Sequence, residues 1–403
     1  MNQEYLIYNL FVAYYEARKN KRNTINQLRF EINYEHEIFR LADEIMSGCY
    51  TPRPSICFVI NDPVKREIMA TDFRDRVVHH LIFNYINPEC EKQFIHDSYS
   101  CRKGKGTLYG IKRVEQFVKE CSNNHTEDCY ILKLDIEGYF MSINKEILYE
   151  KVISLCQVHS TDTLPNPLEG LGIELIRETI FNDPTKNCII KGSRIDWKDL
   201  PKSKSLFFSE KKCGLPIGNL TSQLFSNVYL HDLDCYIKNN LKIEYYGRYV
   251  DDFVIVHKDK EFLTSIVPQI ADFLQKKLKL TLHPKKIYLQ HYSKGVKFLG
   301  AVIKPNRLYI ANRTKGKFLK KMVEIEKQLE ANKSHLGNLG VILQRSRSSI
   351  NSYLGIMQHY KTYNIIKKAM KLGLSIFPYG YFESKDKITK FKLKYKTKKQ
   401  FYL

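Results

Sequence analysis

The stretch IEYYGRYVDDFVIVH, residues 243–257, sets two apolar runs on either side of Val250, Asp251 and Asp252. Two strand-forming runs with a short joint predict a hairpin. Adjacent carboxylates at such a joint, flanked by Tyr, Val, Phe and Ile, raise one another's pKa unless a cation is near. A divalent ion removes that cost. Hard oxygen ligands suit Mg2+, which keeps several waters and shares phosphate oxygens with its substrate. By itself an Asp-Asp pair is also what an ordinary polar turn contains. A second strand-like stretch, YILKLDI at residues 130–136, ends at Asp135. Side by side in one sheet, these strands would gather three carboxylates around two ions about 3.5–4 Å apart, a clamp for in-line phosphoryl displacement. A helix N-cap or turn role for Asp135 is the ordinary alternative.

The 403 residues carry 65 Lys plus Arg against 43 Asp plus Glu, a formal net charge of +22. Excess cation on this scale favours a polyanionic partner through counterion release. Hydrophobic residues are 43% and charged residues 27%, which excludes disordered and fibrous classes. No apolar run is long enough to span a bilayer, so no membrane partner is expected. The N-terminus is broken by Glu4 and has no positive leader, which argues against a secretory signal. Ten cysteines occur, none at C-x-x-C spacing, so reduced thiols and a cytoplasmic location are expected.

Along the chain, Leu6, Leu10, Ala13, Tyr14 and Ala17 recur at helical spacing, and residues 1–50 read as helix. TPRPS at 51–55 breaks that pattern, and CFVI followed by NDPVKREIMA reads as strand, turn and strand. Residues 75–95 read as helix. Residues 157–212 are polar and read as helices with irregular connections. Residues 267–280 fit an amphipathic helix, 296–305 one or two short strands, and 317–372 further helices. The segment 385–403 holds eight lysines and one acid, and reads as a flexible or nucleic-acid-contacting tail. His79, His80 and Cys101 lack metal-ligand spacing and read as structural.

GRYVDDFVIV (247–256) resembles the YxDD box of reverse transcriptases, and LKLDIEGYFMSI (132–143) their first catalytic-Asp motif. CGLPIGNLTSQLFSNVYL (213–230) resembles the segment that positions template and nucleotide. The run 65–107 is similar to the fingers block, LTLHPKKIYLQ (280–290) to the motif after YxDD, and VKFLGAVI (296–303) to the primer grip. SINSYLGIMQHY (349–360) gives a looser thumb match. The blocks stand in the family's order over about residues 60–305. Where retroviral and group II intron enzymes usually read Pro-Gln-Gly, this chain reads Pro216-Ile217-Gly218. The run Gly218 to Gln223 resembles the G-x-x-x-S-Q pattern of diversity-generating retroelement enzymes, as do DFRDRVVHH and DSYSCRKGKGT.

The resemblance implies an α+β right-hand polymerase: an N-terminal helical segment (1–50), fingers (51–128), a palm with an antiparallel sheet (129–305, with a polar insertion near 157–212), a helical thumb (306–378) and a basic tail (379–403). It implies RNA-directed DNA synthesis, error-prone in the retroelement type. Two Mg2+, or Mn2+ as a substitute, would be held by Asp135, Asp251, Asp252 and the Ile136 carbonyl. Lys65, Arg66 and Arg74 would meet the triphosphate. Phe140 would exclude a ribose 2′-OH, Ile217 and Gln223 would line the nucleotide site, and Lys285 or Lys286 would protonate pyrophosphate. Arg102, Lys103 and Lys105 would follow the template, and Phe298, Leu299 and Gly300 would grip the primer. Implied partners are a template or noncoding RNA, its cDNA, deoxynucleoside triphosphates, and an accessory protein or second polymerase subunit. An antiphage-defence reverse transcriptase, acting with a noncoding RNA or by protein-primed or untemplated synthesis, is the alternative within the same family. A dead polymerase serving as an RNA scaffold is the non-enzymatic one.

Overall fold

Leu6, Leu10, Ala13, Tyr14 and Ala17 are all buried along one face of helix α1 (Gln3–Arg18), as their spacing predicts. The computed structural model describes residues 2–19, 24–61, 64–157, 171–332, 336–384 and 387–394. Its elements divide into two units, Met1–Gly110 with Leu132–Leu289, and Ile111–Ile131 with Gln290–Leu403.

In the first unit, α1 is followed by α2 (Ile25–Ile32) and α3 (Tyr34–Met46). Tyr14 stacks on Tyr34 and meets Phe30 and Phe73 edge-on or tilted, which locks these helices onto one aromatic core. Strands β1 (Ile56–Ile60) and β2 (Arg66–Ala70) form the expected antiparallel pair. Helix α4 (Phe73–Gln93) starts where the Asp72 carboxylate accepts from the Arg74 amide, and it packs on α1. Helix α5 (Thr107–Cys121), whose residues from Ile111 on belong to the second unit, and strand β3 (Tyr130–Asp135) follow.

Beyond β3 come α6 (Tyr139–Ser142), α7 (Lys145–Gln157) and α8 (Leu171–Phe181). Strand β4 (Ile189–Ile190) then joins β1 in parallel, giving a sheet of order β2-β1-β4. The described part of the 157–212 insertion is thus partly a sheet edge, with short 3-10 turns rather than further long helices. The sequence reading for residues 158–170 lies outside the described residues. Next are α9 (Leu220–Tyr229), α10 (His231–Cys235), β5 (Tyr245–Tyr249), β6 (Asp252–His257), α11 (Lys260–Leu278) and β7 (Tyr288–His291). The sheet order β5-β6-β3-β7 puts the two acid-bearing strands next to each other. Helix α11 begins seven residues before the expected start at 267. Asp259 caps it by accepting from the Glu261 and Phe262 amides, and Leu263 and Ile266 extend its buried stripe across Pro268.

In the second unit, β8 (Val296–Phe298), β9 (Ala301–Lys304) and β10 (Arg307–Ile310) form an antiparallel meander. Leu299 and Gly300, both at positive φ (47° and 85°), make its first two-residue turn. Helices α12 (Asn312–Ala331), α13 (Leu336–Met357) and α14 (Tyr363–Leu372) follow. The expected unstructured tail needs correction over its described residues. Strands β11 (Gly380–Ser384) and β12 (Ile388–Leu393) form a hairpin against α13. The Asn351 side chain both donates to the Phe391 carbonyl and accepts from its amide, as a neighbouring strand would. The lysines of β12 hide its alternation, but Phe391 and Leu393 are buried. Residues 290–403 hold 25 Lys and Arg against 5 acids, while residues 1–289 hold 40 against 38. No helix among the described residues is long and apolar enough to cross a membrane.

Gly247 in β5 faces the ring of Tyr99, and a Cβ there would stand 2.2 Å from the Tyr99 hydroxyl oxygen and 2.8–2.9 Å from ring carbons. Gly247→Ala is expected to destabilise the protein by about 1–3 kcal/mol, the usual cost of overpacking. Equilibrium denaturation in urea would register this as a lower midpoint, and Tyr99→Phe should restore only part of it because the ring carbons remain. An unshifted midpoint would mean that the Tyr99 ring moves aside freely.

Candidate active site

The β5–β6 turn is held from beneath. Tyr249 pairs with Asp252, leaving Val250 and Asp251 as the two loop residues. Val250 sits at φ 57°, a costly conformation for a β-branched residue, so something must over-determine the turn. Arg248, fully buried, supplies that constraint. Its Nη1 donates to the Val250 carbonyl (3.1 Å), while Nε and Nη2 form a bidentate pair with the buried Asp234 (2.7 and 2.6 Å). Tyr246 Oη donates to the same carboxylate (2.6 Å). Burial alone would lower the Arg248 pKa, but Asp234 outweighs it and holds the guanidinium ionised. The Arg248 backbone bonds the segment Asp97–Tyr99 on both sides, so a piece of the predicted fingers block adds to the edge of β5. Neither Arg248 nor Asp234 was singled out from sequence; a charged residue inside an otherwise apolar strand was the available signal.

Asp251 and Asp252 are half-buried carboxylates. Burial, then the charge of Asp135, pushes the Asp251 pKa up to about 6, so Asp135 and Asp251 lie within electrostatic reach of each other. Burial also lifts Asp252 to about 6 against the opposing pull of Lys133. Lys133 Nζ stands 3.1 Å from Asp252 Oδ1 as an ion pair that falls short of a hydrogen bond, since that oxygen has no hydrogen-bond partner. Lys133 and Asp135 lie two apart on β3 and therefore on one face. Lys286 Nζ donates to Asp135 Oδ1 (2.7 Å). Beyond β3, the His283 amide donates to the Asp135 carbonyl and the Glu137 amide to the Thr281 carbonyl. That pattern turns the Ile136 carbonyl away from Leu282, toward the side on which β6 lies. Carboxylate and carbonyl oxygens, one of them buried and unpartnered, fit a hard divalent cation. Among the described residues, however, no three His, Cys, Asp or Glu side chains are gathered closely enough to hold one ion. Lysines cover two of the acids instead.

Of the other expected site residues, Arg66 is exposed and lies within electrostatic reach of Asp251. Lys65 donates to the Lys198 carbonyl. Phe140 and Ile217 both pack, half-buried, against the cluster of Cys57, Met69, Met141 and Leu206. Gln223 and Lys103 are exposed, and Lys105 donates to the His96 carbonyl. Phe298 is buried in the second unit beside the Leu299-Gly300 turn.

Two expectations are corrected. Arg74 is buried, pairs with Asp75 and Glu44 and lies over the Tyr50 ring, so it holds the fold and has no free face for a triphosphate. Arg102 chelates Glu91, donates to the Ile95 and Ser98 carbonyls and covers Phe94, which likewise removes it from a template surface. Lys285 is exposed, and Lys286 is the one that reaches Asp135. His79 keeps the structural role read for it, hydrogen-bonded to Thr221, with burial holding its pKa down at about 3.

Adjacent acid-bearing strands in an α+β chain, with helices before and after, define the right-hand polymerase class. The family model for reverse transcriptase (RNA-dependent DNA polymerase) matches residues 64–303, and the chain belongs to that family. It is an RNA-directed DNA polymerase. Protein YkfC of Escherichia coli K12 is 23% identical over 310 residues, covering 68% of this chain and 73% of that protein. The group II intron-encoded protein LtrA of Lactococcus lactis is 24% identical over 304 residues, and the match spans 68% of this chain but about half of LtrA (50%). Among solved structures, apo telomerase from Candida tropicalis is similar at a TM-score of 0.47 and 13% identity, covering 80% of this chain and 59% of that one.

The raised Asp251 pKa has a stability consequence. The folded protein holds this proton up to about pH 6, whereas an unfolded aspartate releases it near 3.8, so stability falls as pH rises between those values and stays lost above them. In metal-free buffer at pH 7.5, Asp251→Asn is expected to stabilise the protein by on the order of 2–3 kcal/mol, with the gain shrinking as pH approaches 4. Urea denaturation at the two pH values measures it. A gain equal at both would assign the effect to the turn backbone rather than to the buried charge.

Proposed function

We propose that this chain copies a dedicated RNA template into DNA by two-metal nucleotidyl transfer, in the error-prone manner of diversity-generating retroelements. The observation that carries the reading is the adjacency in one sheet of β3, which ends at Asp135, and β6, which starts at Asp252 directly after Asp251. Asp135, Asp251 and Asp252 would hold the ions, helped by the Ile136 carbonyl. Bound there, magnesium lowers the pKa of the primer 3′-hydroxyl and neutralises charge building on the triphosphate. Lys133 pairs with Asp252, and Lys286, which donates to Asp135, would protonate the departing pyrophosphate. Arg66 meets the triphosphate, and its fork can engage two oxygens at once. Phe140 stands against the sugar and disfavours a 2′-hydroxyl.

Ile217 in place of the usual Gln supports the retroelement assignment, because an aliphatic side chain offers no amide to hold base or template in register. Lys103 and Lys105, with Gly104 and Gly106 between and beyond them, follow the template backbone. Phe298, Leu299 and Gly300 grip the primer. The dense lysines of α12 to α14 suit the backbone of an RNA–DNA duplex, recognised by shape. Template RNA, its cDNA, deoxynucleotides and an accessory protein or second polymerase subunit are the partners of this reading, and the cytoplasm its location.

Asp135→Asn should abolish extension of a DNA primer on an RNA template, by more than about 10³-fold, while RNA affinity in a filter-binding assay stays within about twofold. Extension at near wild-type rate would remove the metal-site assignment. Ile217→Gln is expected to lower misincorporation opposite template adenine, read by sequencing the cDNA. An unchanged error spectrum would reduce Ile217 to a packing residue.

A further inference from the structure

Glu67 on β2 is 2% exposed and forms no ion pair among the described residues. A lone buried carboxylate is costly unless donors surround it. Here all its donors come from the insertion. Trp197 Nε1 (2.7 Å) and Ser205 Oγ (2.6 Å) donate to Oε2, and the Leu206 amide donates to Oε1 (2.7 Å). Such charge-assisted bonds are the strong ones, and together they fasten residues 197–206 to β2 at one point. The same insertion pairs β4 with β1 and takes the Lys65 ammonium on the Lys198 carbonyl.

This fastening lies against the residues assigned above to nucleotide selection. Trp197, Leu206, Phe140 and Ile217 share one apolar cluster with Met69 of β2. The Met69 amide donates to the Ile217 carbonyl (2.9 Å), and the Leu215 amide to the Phe140 carbonyl (2.8 Å). Gly138, two residues before Phe140, is closely approached by the insertion, for a Cβ there would meet the Ser203 carbonyl at 3.1 Å. Phe140 therefore packs in one cluster with Trp197 and Leu206 of the insertion and with Met69 of the strand that Glu67 anchors.

We propose that Trp197, latched to Glu67, is a positioning residue that fixes how closely Phe140 and Ile217 approach the incoming nucleotide, so that the insertion tunes sugar and base discrimination. This rests on the polymerase reading of the site. The latch restrains Phe140 from behind: with Trp197 in place the ring cannot retreat into the cluster, and a ribose 2′-hydroxyl has no room. Releasing it lets the ring recede and lets both sugars enter with weaker holding of either.

The test uses the full chain, a primed RNA template, and dATP or ATP as nucleotide. Trp197→Phe keeps the ring packing but removes the N–H. It is expected to raise the KM for dATP about 5–20-fold and to lower discrimination against ATP, with kcat moving by less than about threefold. Glu67→Gln, which keeps one acceptor oxygen, should fall between the two, and Ile195→Ala, at an exposed tip of the insertion, should behave as wild type. A Trp197→Phe protein that unfolds as wild type does and keeps wild-type KM and discrimination overturns the proposal. Should that variant not fold, the wild-type emission decides, because Trp197 is the single tryptophan. A spectral shift on saturation with dATP supports the latch, and an unchanged spectrum overturns it. Loss of the latch leaves wild-type extension intact, whereas failure of the polymerase reading removes the extension signal itself.

Discussion

The candidate active site depends on one buried ion pair. Arg248 and Asp234 are both fully buried, and neither charge would survive there alone. Removing one partner of such a pair typically costs about 3–5 kcal/mol, since the survivor is stranded. What the pair secures is geometry. The guanidinium spends two donors on Asp234 and another on the Val250 carbonyl, and so fixes a turn whose first loop residue is β-branched and at positive φ. An apolar core could have supplied stability as cheaply, but it has no donor to direct at a carbonyl. Specific positioning of the Asp251 carboxylate is the property that needs the charge.

A second tension lies in the acids themselves. Asp251 and Asp252 are raised toward neutral pKa values because they are half-buried near other carboxylates, and lysines stand close to Asp135 and Asp252. A site built for stability would have replaced these groups. Lys133 and Lys286 offset part of the cost of their charge, although Lys133 approaches Asp252 Oδ1 without a hydrogen bond.

Much of this was legible in the sequence. The hairpin, the strand ending at Asp135 and the α1 face follow from period-2 and period-3.6 patterns that tertiary packing reinforces. What escaped reading was charge turned inward. Arg74, Arg102 and Arg248 look alike in sequence, as basic residues in a basic chain, yet each is spent on buried carboxylates or carbonyls. Glu67 escaped for the mirror reason, because its donors lie about 130 residues further along the chain. Long-range polar partners leave no local periodicity. The β12 strand is hidden because its lysines outweigh the alternation of Phe391 and Leu393, and because Asn351, which bonds the Phe391 backbone, lies 40 residues away in the chain.

The charge arithmetic sharpens this point. Residues 1–289 are nearly balanced, 40 basic against 38 acidic, whereas residues 290–403 carry 25 against 5. In the balanced part Arg74, Arg102 and Arg248 are paired off internally, so a positive composition there says little about a polyanion. In the basic part the five acids cannot neutralise the lysines, and most of that charge must face solvent or a ligand. Affinity for a polyanion scales with the charges it neutralises, so any such affinity of this chain is weighted toward residues 290–403.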